Sequence, residues 1–208
     1  QTREYNYNIY AYISSGAGMA TLDFDQDGFM DLYFISNQKQ NALYRNNGDF
    51  TFTDVTVQTH TEDALGFSTG VSVLDVNNDG WPGMYISKAG AYYNQDLRRN
   101  VLFVNQKDGT FKEEAAKWGL DYPGFSTQAY PMDYDHDGDM DIYLVNHRYD
   151  FQNVTIVSGE IQAKTEYITS DQLYRNDGTV FTNVTAEAGL LNKTWGLSAV
   201  VSDFNEDG

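Results

Sequence analysis

The chain has 208 residues, no cysteine and a formal net charge of −17. The lack of cysteine excludes a disulfide scaffold, a cysteine-ligated zinc finger, an iron–sulfur cluster and a thiol nucleophile. The acidic balance argues against nucleic-acid binding and against docking on anionic lipid, since both need a basic surface. No run of about 18 apolar residues occurs, so we expect no direct membrane insertion, whereas 41% hydrophobic residues suffice for a folded core.

The sequence is built from internal repeats, which we place at residues 14–62, 63–120 and 121–190, with an incomplete fourth at 191–208. Each repeat carries an acidic segment: Asp23-Phe-Asp-Gln-Asp-Gly28, Asp75-Val-Asn-Asn-Asp-Gly80, Asp133-Tyr-Asp-His-Asp-Gly138 and Asp203-Phe-Asn-Glu-Asp-Gly208. A second motif alternates with it: Asn41-Ala-Leu-Tyr-Arg-Asn46, Asn100-Val-Leu-Phe-Val-Asn105 and Asp171-Gln-Leu-Tyr-Arg-Asn176. Such recurrence is the signature of a repeat architecture.

The first repeat predicts four short strands, at 18–22, at 31–35, across the second motif and at 50–56. The second repeat predicts strands at 70–74, 84–87, 100–105 and 110–114, followed by a short helix within 113–118. The third predicts strands at 128–132, 141–145, 171–176 and 180–185, with a helical stretch at 186–188. The fourth contributes one strand at 197–202. Asn47-Gly48, Asp108-Gly109 and Asp177-Gly178 mark the hairpins between the third and fourth strands, because such pairs accept positive φ.

The spacing of the motifs divides each repeat into a constant and a variable half. From the leucine of the second motif to the next acidic segment there are 32, 31 and 30 residues, whereas from the acidic segment to the leucine there are 20, 27 and 40. The variation therefore lies between the second and third strands.

Four-stranded units of about 50 residues in tandem predict an all-β protein, a β-propeller of four-stranded blades. About three and a half blades are present, and we expect them to be part of a larger propeller. A closed four-bladed protein is the alternative. We disfavour it because the fourth acidic segment would lack its last ligand and its partner strand.

The acidic segments open nine-residue loops, here called loop one (23–31), loop two (75–83), loop three (133–141) and loop four (from 203). Carboxylates at positions 1, 3, 5 and 9 and the carbonyl of position 7, with glycine at position 6 for the turn, are what a Ca²⁺ ion needs, since it takes 6–8 oxygen ligands. The predicted ligands are Asp23, Asp25, Asp27, Phe29 and Asp31 in loop one; Asp75, Asn77, Asp79 and Trp81 in loop two; Asp133, Asp135, Asp137, Asp139 and Asp141 in loop three; and Asp203, Asn205 and Asp207 in loop four.

Three other interpretations of these loops are weaker. An EF-hand needs glutamate at position 12 and flanking helices, but Phe34, Ile86 and Leu144 occupy that position within apolar β-patterns. Mg²⁺ seldom uses an all-protein cage. Solvated Asp-Gly turns would leave clustered like charges without a counter-ion. Loop two is the weakest site, because Asn77 replaces an acid and Gly83 replaces the last aspartate; water could fill that gap with lower affinity.

The acidic loop followed by Asp31-Leu-Tyr33, then Leu43-Tyr-Arg-Asn-Asn-Gly48 and Phe52-Thr-Asp-Val-Thr56, resembles FG-GAP/VCBS repeats. Ala186-Glu-Ala-Gly-Leu190 is typical of the cartilage-acidic-protein-like (ASPIC/UnbV-associated) branch. The resemblance implies an integrin-α-like propeller, commonly seven-bladed, with Ca²⁺ between the first and second strands. It also implies an exported protein, secreted or on the cell surface, and associated with the outer membrane if bacterial. Gln1-Thr-Arg-Glu4 lacks an apolar signal core, so we expect any export signal to have been removed.

Three functions are consistent with these features. We favour a non-enzymatic binding or adhesion module with a protein or glycan partner. A structural accessory subunit of an outer-membrane uptake or secretion complex is the alternative. A hydrolase-associated domain is disfavoured, because only His60, His136 and His147 are present and no G-x-S-x-G segment occurs.

Alternating strand directions place the variable loops on the face opposite the acidic loops, and insertions on one face of a repeat protein often bind its partner. Aromatic and arginine side chains suit such contacts. Those in the variable loops either contact a partner or pack onto neighbouring blades: Tyr92, Tyr93, Arg98, Arg99, His147, Arg148, Tyr149, Phe151 and Tyr167.

Overall fold

The fold was analysed in a computed structural model that describes residues 17–90, 94–147, 170–192 and 196–204. The strands of these ranges form three four-stranded antiparallel sheets, each with its strands in chain order. The first sheet contains β1 (Met19–Leu22), β2 (Asp31–Phe34), β3 (Ala42–Asn46) and β4 (Phe52–Asp54). The second contains β5 (Phe67–Leu74), β6 (Gly83–Ala89), β7 (Val101–Asn105) and β8 (Phe111–Glu113). The third contains β9 (Ser126–Met132), β10 (Asp141–Asn146), β11 (Gln172–Asn176) and β12 (Phe181–Asn183). This all-β arrangement confirms three blades of a β-propeller.

The helices of the described ranges are short and lie between strands. A four-residue helix α1 (Thr56–Thr59) follows the first blade, a 3₁₀ helix spans Gln95–Arg98, and α2 (Ala115–Trp118) follows the second blade. The prediction for 113–118 is thus confirmed for its last four residues, and the sequence analysis missed α1. The predicted helical stretch at 186–188 is wrong: residues 185–189 form a turn. None of these helices is long and apolar enough to cross a membrane.

The predicted strand at 197–202 is also wrong for this chain, because residues 196–203 adopt no regular secondary structure. A strand exists only when its backbone groups pair with a neighbour, and no hydrogen-bonded partner strand lies within the described ranges. Leu197 and Val200 are 75% and 86% exposed. The segment nevertheless lies near the third blade: a side-chain carbon at Gly196 would approach Val145 to 2.5 Å.

Apolar side chains from facing sheets form two cores, one at each blade junction. The first core joins Leu22, Phe24, Tyr33, Ile35 and Leu43 of the first blade to Val71, Met84, Ile86, Phe103 and Phe111 of the second. The second core joins the other side of the second blade, including Tyr85 and Leu102, to Ile142, Leu144 and Tyr174 of the third. Alternation along the strands of the second blade sends neighbouring residues into different cores, as expected for a sheet packed on both faces.

The side of the first blade that faces away from the second resembles a buried surface. Its side chains occupy the positions that Met84, Ile86, Phe103 and Phe111 hold in the second blade, where exposure is 0–5%. In the first blade the corresponding residues are partly exposed: Leu32, Phe34, Tyr44 and Phe52. Phe34 and Tyr44 pack edge to face with ring centroids 5.9 Å apart. The described arc therefore carries an apolar blade surface at its first edge.

Candidate metal centre

Loops one, two and three each connect the first two strands of their blade, and they share one backbone conformation. The glycine at position 6 has φ of 90°, 84° and 92° in loops one, two and three. Its N–H donates to the carboxylate at position 1 over 2.9, 2.6 and 3.2 Å. This left-handed conformation is one that glycine adopts without strain. The loop backbone thus fixes the first carboxylate of every loop.

The predicted position-7 residues also behave alike. The N–H groups of Phe29, Trp81 and Asp139 each donate to the carboxylate at position 5 of their own loop, over 2.9 Å in every case. Carboxylates one and five are consequently held by main-chain donors before any ion is considered. These bonds depend only on local spacing, and the predicted role of the position-7 carbonyl as an ion ligand stays a prediction.

Three carboxylates converge in loop one and three in loop three. One carboxylate oxygen from each of Asp23, Asp25 and Asp27 lies within 4.8 Å of the others, and Asp133, Asp135 and Asp141 form the equivalent group. The Oδ1 atoms of Asp25 and Asp133 are buried and have no hydrogen-bond partner. A buried carboxylate oxygen without a donor is costly, and a hard divalent cation is the ligand that oxygen clusters of this kind bind. The residues present therefore fit a metal ion.

The aspartates at position 9 are the most buried members of the loops. Asp31 and Asp141 are both 0% exposed. Asp31 accepts from the N–H of Phe24 (3.1 Å) and of Asn46 (2.8 Å), and Asp141 accepts from its equivalents, Tyr134 N–H and Asn176 N–H.

Burial raises the pKa of both carboxyls, the backbone donors lower it, and neighbouring carboxylates raise it further. A cation in the loop would favour the charged form of each.

The two clusters differ in which predicted ligands they bring together. The loop-three cluster contains Asp141, at position 9, but not Asp137, at position 5. The loop-one cluster contains Asp27, at position 5, but not Asp31, at position 9. The side chain of Asp139 accepts from the Nδ2 of Asn78 over 2.6 Å. Positions 1 and 3 are therefore shared by both clusters, and the third carboxylate comes from position 5 or from position 9.

Loop two forms no cluster of three acids within the described residues. Asn77 donates its amide to Asp79 (2.9 Å), and Lys107 lies 3.1 Å from the same carboxylate. Burial acts to raise the pKa of Asp79, but Lys107 and the other donors hold it below its usual value. A side-chain carbon at Gly83 would lie 2.7 Å from the carbonyl oxygen of Phe103, so no aspartate fits at position 9. In loop four, Asp203 is exposed, and Asn205 and Asp207 lie outside the described residues.

Basic side chains approach the loops from the third strand or from the hairpin after it, which the sequence analysis missed. Arg45 contacts Asp25 (Nε, 2.7 Å) and Asp27 (Nη2, 3.0 Å). Arg175 occupies the same motif position in the third blade but is 3.9 Å from Asp135 and closer, at 2.8 Å, to Asp177. The recurrence of arginine in Leu-Tyr-Arg-Asn was the available signal.

The described residues of the variable loops pack against their own chain. Arg98 is 5% exposed, lies 4.4 Å over the ring of Phe125 and donates to the carbonyl of Pro123. Arg99 pairs with Asp121 at 2.7 Å, and the buried His147 has Nδ1 3.2 Å from the carbonyl of Gly196. The other residues named for these loops lie outside the described ranges: Tyr92, Tyr93, Arg148, Tyr149, Phe151 and Tyr167.

Comparison with known proteins agrees with this architecture. The model of the FG-GAP-like repeat family matches residues 23–86 and 89–144, which together make up more than half of the chain and contain all of loops one, two and three. A comparison with curated proteins finds no match. Recurrent acidic loops, four-stranded blades and the family match point the same way: the chain belongs to the FG-GAP-like repeat family.

Proposed function

We propose that the chain is a calcium-stabilised propeller module that binds a partner and has no catalytic activity of its own. FG-GAP-like repeats suggest a propeller-type binding module and are typically non-catalytic. We also place the chain in the cartilage-acidic-protein-like branch on the segment Ala186-Glu-Ala-Gly-Leu190. The partner is a protein or a glycan, and the module works outside the cell or on its surface.

The observation that carries the calcium proposal is the pair of buried, partnerless oxygens at Asp25 and Asp133. They belong to position 3 and position 1 of loops that share one backbone conformation, and each of these two residues is part of a group of three carboxylates with ligand oxygens within 4.8 Å of one another. Carboxylate and carbonyl oxygens alone suit Ca²⁺ better than Mg²⁺, which demands near-ideal octahedral geometry and usually keeps several waters. Loops one and three are the principal sites of this proposal, and loop two is a weaker one.

Calorimetric titration and thermal unfolding test the proposal together. Calcium is expected to bind with at least two strong equivalents and to raise Tm relative to EDTA, because an ion that binds only the folded state stabilises it by mass action. Asp25→Asn and Asp133→Asn should each remove one strong equivalent. Asp96→Asn is the matched control, since its carboxylate is 76% exposed and lies outside the loops.

Two outcomes would contradict the metal assignment. One is an unchanged Tm between saturating calcium and EDTA. The other is an equal response to magnesium at the same concentration, which would indicate screening of the net charge rather than a specific site.

The binding role requires a separate experiment, because an ion site alone does not identify a partner. The calcium-loaded chain is to be applied to a glycan array and to candidate surface proteins. Tyr92→Ala and Phe151→Ala, in the variable loops, are expected to reduce capture without lowering Tm. Capture that is abolished by changes in loops one and three, but unaffected by these two, would refute the assignment of the variable face.

A further inference from the structure

The side chain at position 4 of an acidic loop reaches the loop of the next blade. Gln26 of loop one donates its Nε2 to the carbonyl oxygen of Gly80 in loop two, over 2.8 Å. Asn78 of loop two donates its Nδ2 to Asp139 of loop three over 2.6 Å and lies 3.4 Å from the carbonyl of Gly138. These bonds link residues 54 to 61 positions apart in the chain. The three loops are therefore connected in order along one face.

The backbone at position 4 has the same left-handed conformation in loops one, two and three. Gln26 and Asn78 have φ of 57° and 55°, and His136, the equivalent residue of loop three, has φ of 63°. Positive φ is uncommon for residues that carry a side chain. Here it places an amide side chain on the neighbouring loop, while the carboxylates at positions 1 and 5 bind main-chain donors of their own loop.

A second bond at each junction runs back from the following blade. Asn105, at the end of β7, donates its Nδ2 to the carbonyl of Phe24, the second residue of loop one, over 2.8 Å. Asn176, at the end of β11, donates in the same way to the carbonyl of Val76 in loop two over 3.1 Å. Both asparagines are at most 4% exposed. Loops one and two are thus each held by their own blade and by the blade that follows.

We propose that cation binding is coupled from loop to loop through these contacts, with loop two as the connector. The inference rests on the proposed function, namely that loops one and three bind calcium. An ion that orders loop three fixes Asp139, which orders Asn78 and with it the backbone of loop two; Gly80 then offers a fixed acceptor to Gln26. Coupling between sites is reciprocal, so an ion in loop one favours order in loop three by the same factor.

Positive coupling would have to exceed the repulsion between bound cations, which acts in the opposite sense. One solvent-exposed hydrogen bond changes an equilibrium by about two- to tenfold. Removing one position-4 amide is therefore expected to change the calcium affinity of the neighbouring loop by that factor.

Backbone amide NMR of the full chain can follow each loop separately during a calcium titration. The amides of Gly28, Gly80 and Gly138 each donate to the first carboxylate of their own loop and so report its order. Asp135→Asn, which weakens loop three, is expected to shift the midpoints of Gly28 and Gly80 to about two- to tenfold higher calcium. In the Asn78→Ala background the same change should leave both midpoints where they are.

His136→Ala is the matched control, because it makes the same truncation on the same left-handed backbone and no side-chain hydrogen bond of His136 is seen in the described part of the chain. It should leave the coupling between loops intact. Gln26→Ala should separate Gly28 from the other two reporters. Should Asp135→Asn prevent folding, the Gln26→Ala and His136→Ala pair still tests the link between loops one and two.

The possible failures are distinguishable. If no glycine amide responds to calcium in the unmodified chain, the proposed function fails. If all three respond but Asp135→Asn shifts only Gly138, or shifts Gly28 equally with and without Asn78, the coupling proposal is overturned while calcium binding stands. The coupling proposal would also be overturned if the calcium midpoints of the three glycine amides lay further apart in the unmodified chain than in Asn78→Ala. Such a result would indicate repulsion between the bound cations.

Discussion

Phe52 and Phe111 begin the fourth strand of the first and second blades and pair with equivalent asparagines, Asn46 and Asn105. Their surroundings differ, because the first blade has no neighbour on that side within the described residues. Phe111 is 3% exposed and packs against Phe24 with ring centroids 6.1 Å apart, whereas Phe52 is 43% exposed. The pair therefore isolates the contribution of blade-to-blade packing.

We expect Phe111→Ala to cost about 3–5 kcal/mol, the usual range for a buried phenylalanine that leaves a cavity. Phe52→Ala removes a ring that is already nearly half in water, so its cost should be about 1–2 kcal/mol. With a Tm change of about 2–4 °C per kcal/mol for a chain of this size, the difference of about 1–4 kcal/mol should place the Tm of Phe111→Ala about 2–16 °C below that of Phe52→Ala. Phe50→Ala is the control, since Phe50 is 99% exposed.

Thermal unfolding followed by circular dichroism, in saturating calcium and in EDTA, measures these differences. Both conditions are needed because Phe24 lies in loop one, and an effect seen only with calcium would come from the loop. Equal losses for Phe52→Ala and Phe111→Ala would refute the reasoning. Sedimentation velocity on the same samples would then show whether a second copy covers the open side of the first blade.

Three further predictions concern charged groups. Arg45→Val should raise the calcium affinity of loop one a few-fold and lower Tm in EDTA, because this arginine neutralises the loop without an ion; calorimetry showing unchanged affinity would contradict it. Lys88→Met leaves Asp63, its buried partner at 2.6 Å, without a cation, and should lower the free energy of unfolding in urea by about 3–5 kcal/mol. Arg99→Met, at a side chain that is 40% exposed, should lower it by about 1 kcal/mol or less. Burial lowers the pKa of His147, so this side chain takes up a proton at higher pH in the unfolded chain than in the folded one. The free energy of unfolding should therefore fall as pH drops below about 6.5. Urea unfolding of His147→Gln over the same pH range should lack this part of the pH dependence.

Repeat spacing was sufficient to predict the blades, because each strand is fixed by short-range features. The first strand ends at an acidic loop, and the third ends at an Asn-Gly or Asp-Gly hairpin whose glycine has φ near 80°. The lengths of β5 and β6 were not predictable in the same way. Both extend beyond the expected ranges, past a register shift between Ser68 and Gly70. The extended part of β6 includes Lys88, which is buried against Asp63.

The segment at 197–202 shows where pattern reasoning fails. Its sequence, Leu-Ser-Ala-Val-Val-Ser, is small and apolar like the first strand of the second blade, and it approaches the third blade at Gly196. Apolar packing on one face does not satisfy the backbone donors and acceptors of a strand. Pattern predicts which face a segment presents, whereas strand formation also needs a hydrogen-bonded neighbour.

The candidate ligands could be named from the sequence because those of one loop fall within nine consecutive residues, and the loop itself brings them together. What the sequence did not reveal comes from distant parts of the chain. Arg45 is 18 residues from Asp27, and Gln26 is 54 residues from Gly80. Such contacts depend on how blades are juxtaposed, and only the repetition of arginine in the second motif hinted at one of them.

Loop two shows that the loop conformation survives when the requirements of an ion site are relaxed. Loop two has Asn77 instead of an acid at position 3 and Gly83 instead of a buried aspartate at position 9. The N–H of Gly80 nevertheless donates to Asp75 over 2.6 Å, the shortest such bond of the three loops. Asn77 replaces one repulsive charge with a donor, and Lys107 neutralises Asp79. The ammonium group of Lys107 therefore supplies in loop two part of the charge compensation that we assign to a divalent ion in loops one and three. Loop two therefore depends less on a bound ion than loops one and three do, while its acceptor at Gly80 and its donor at Asn78 connect it to both of them.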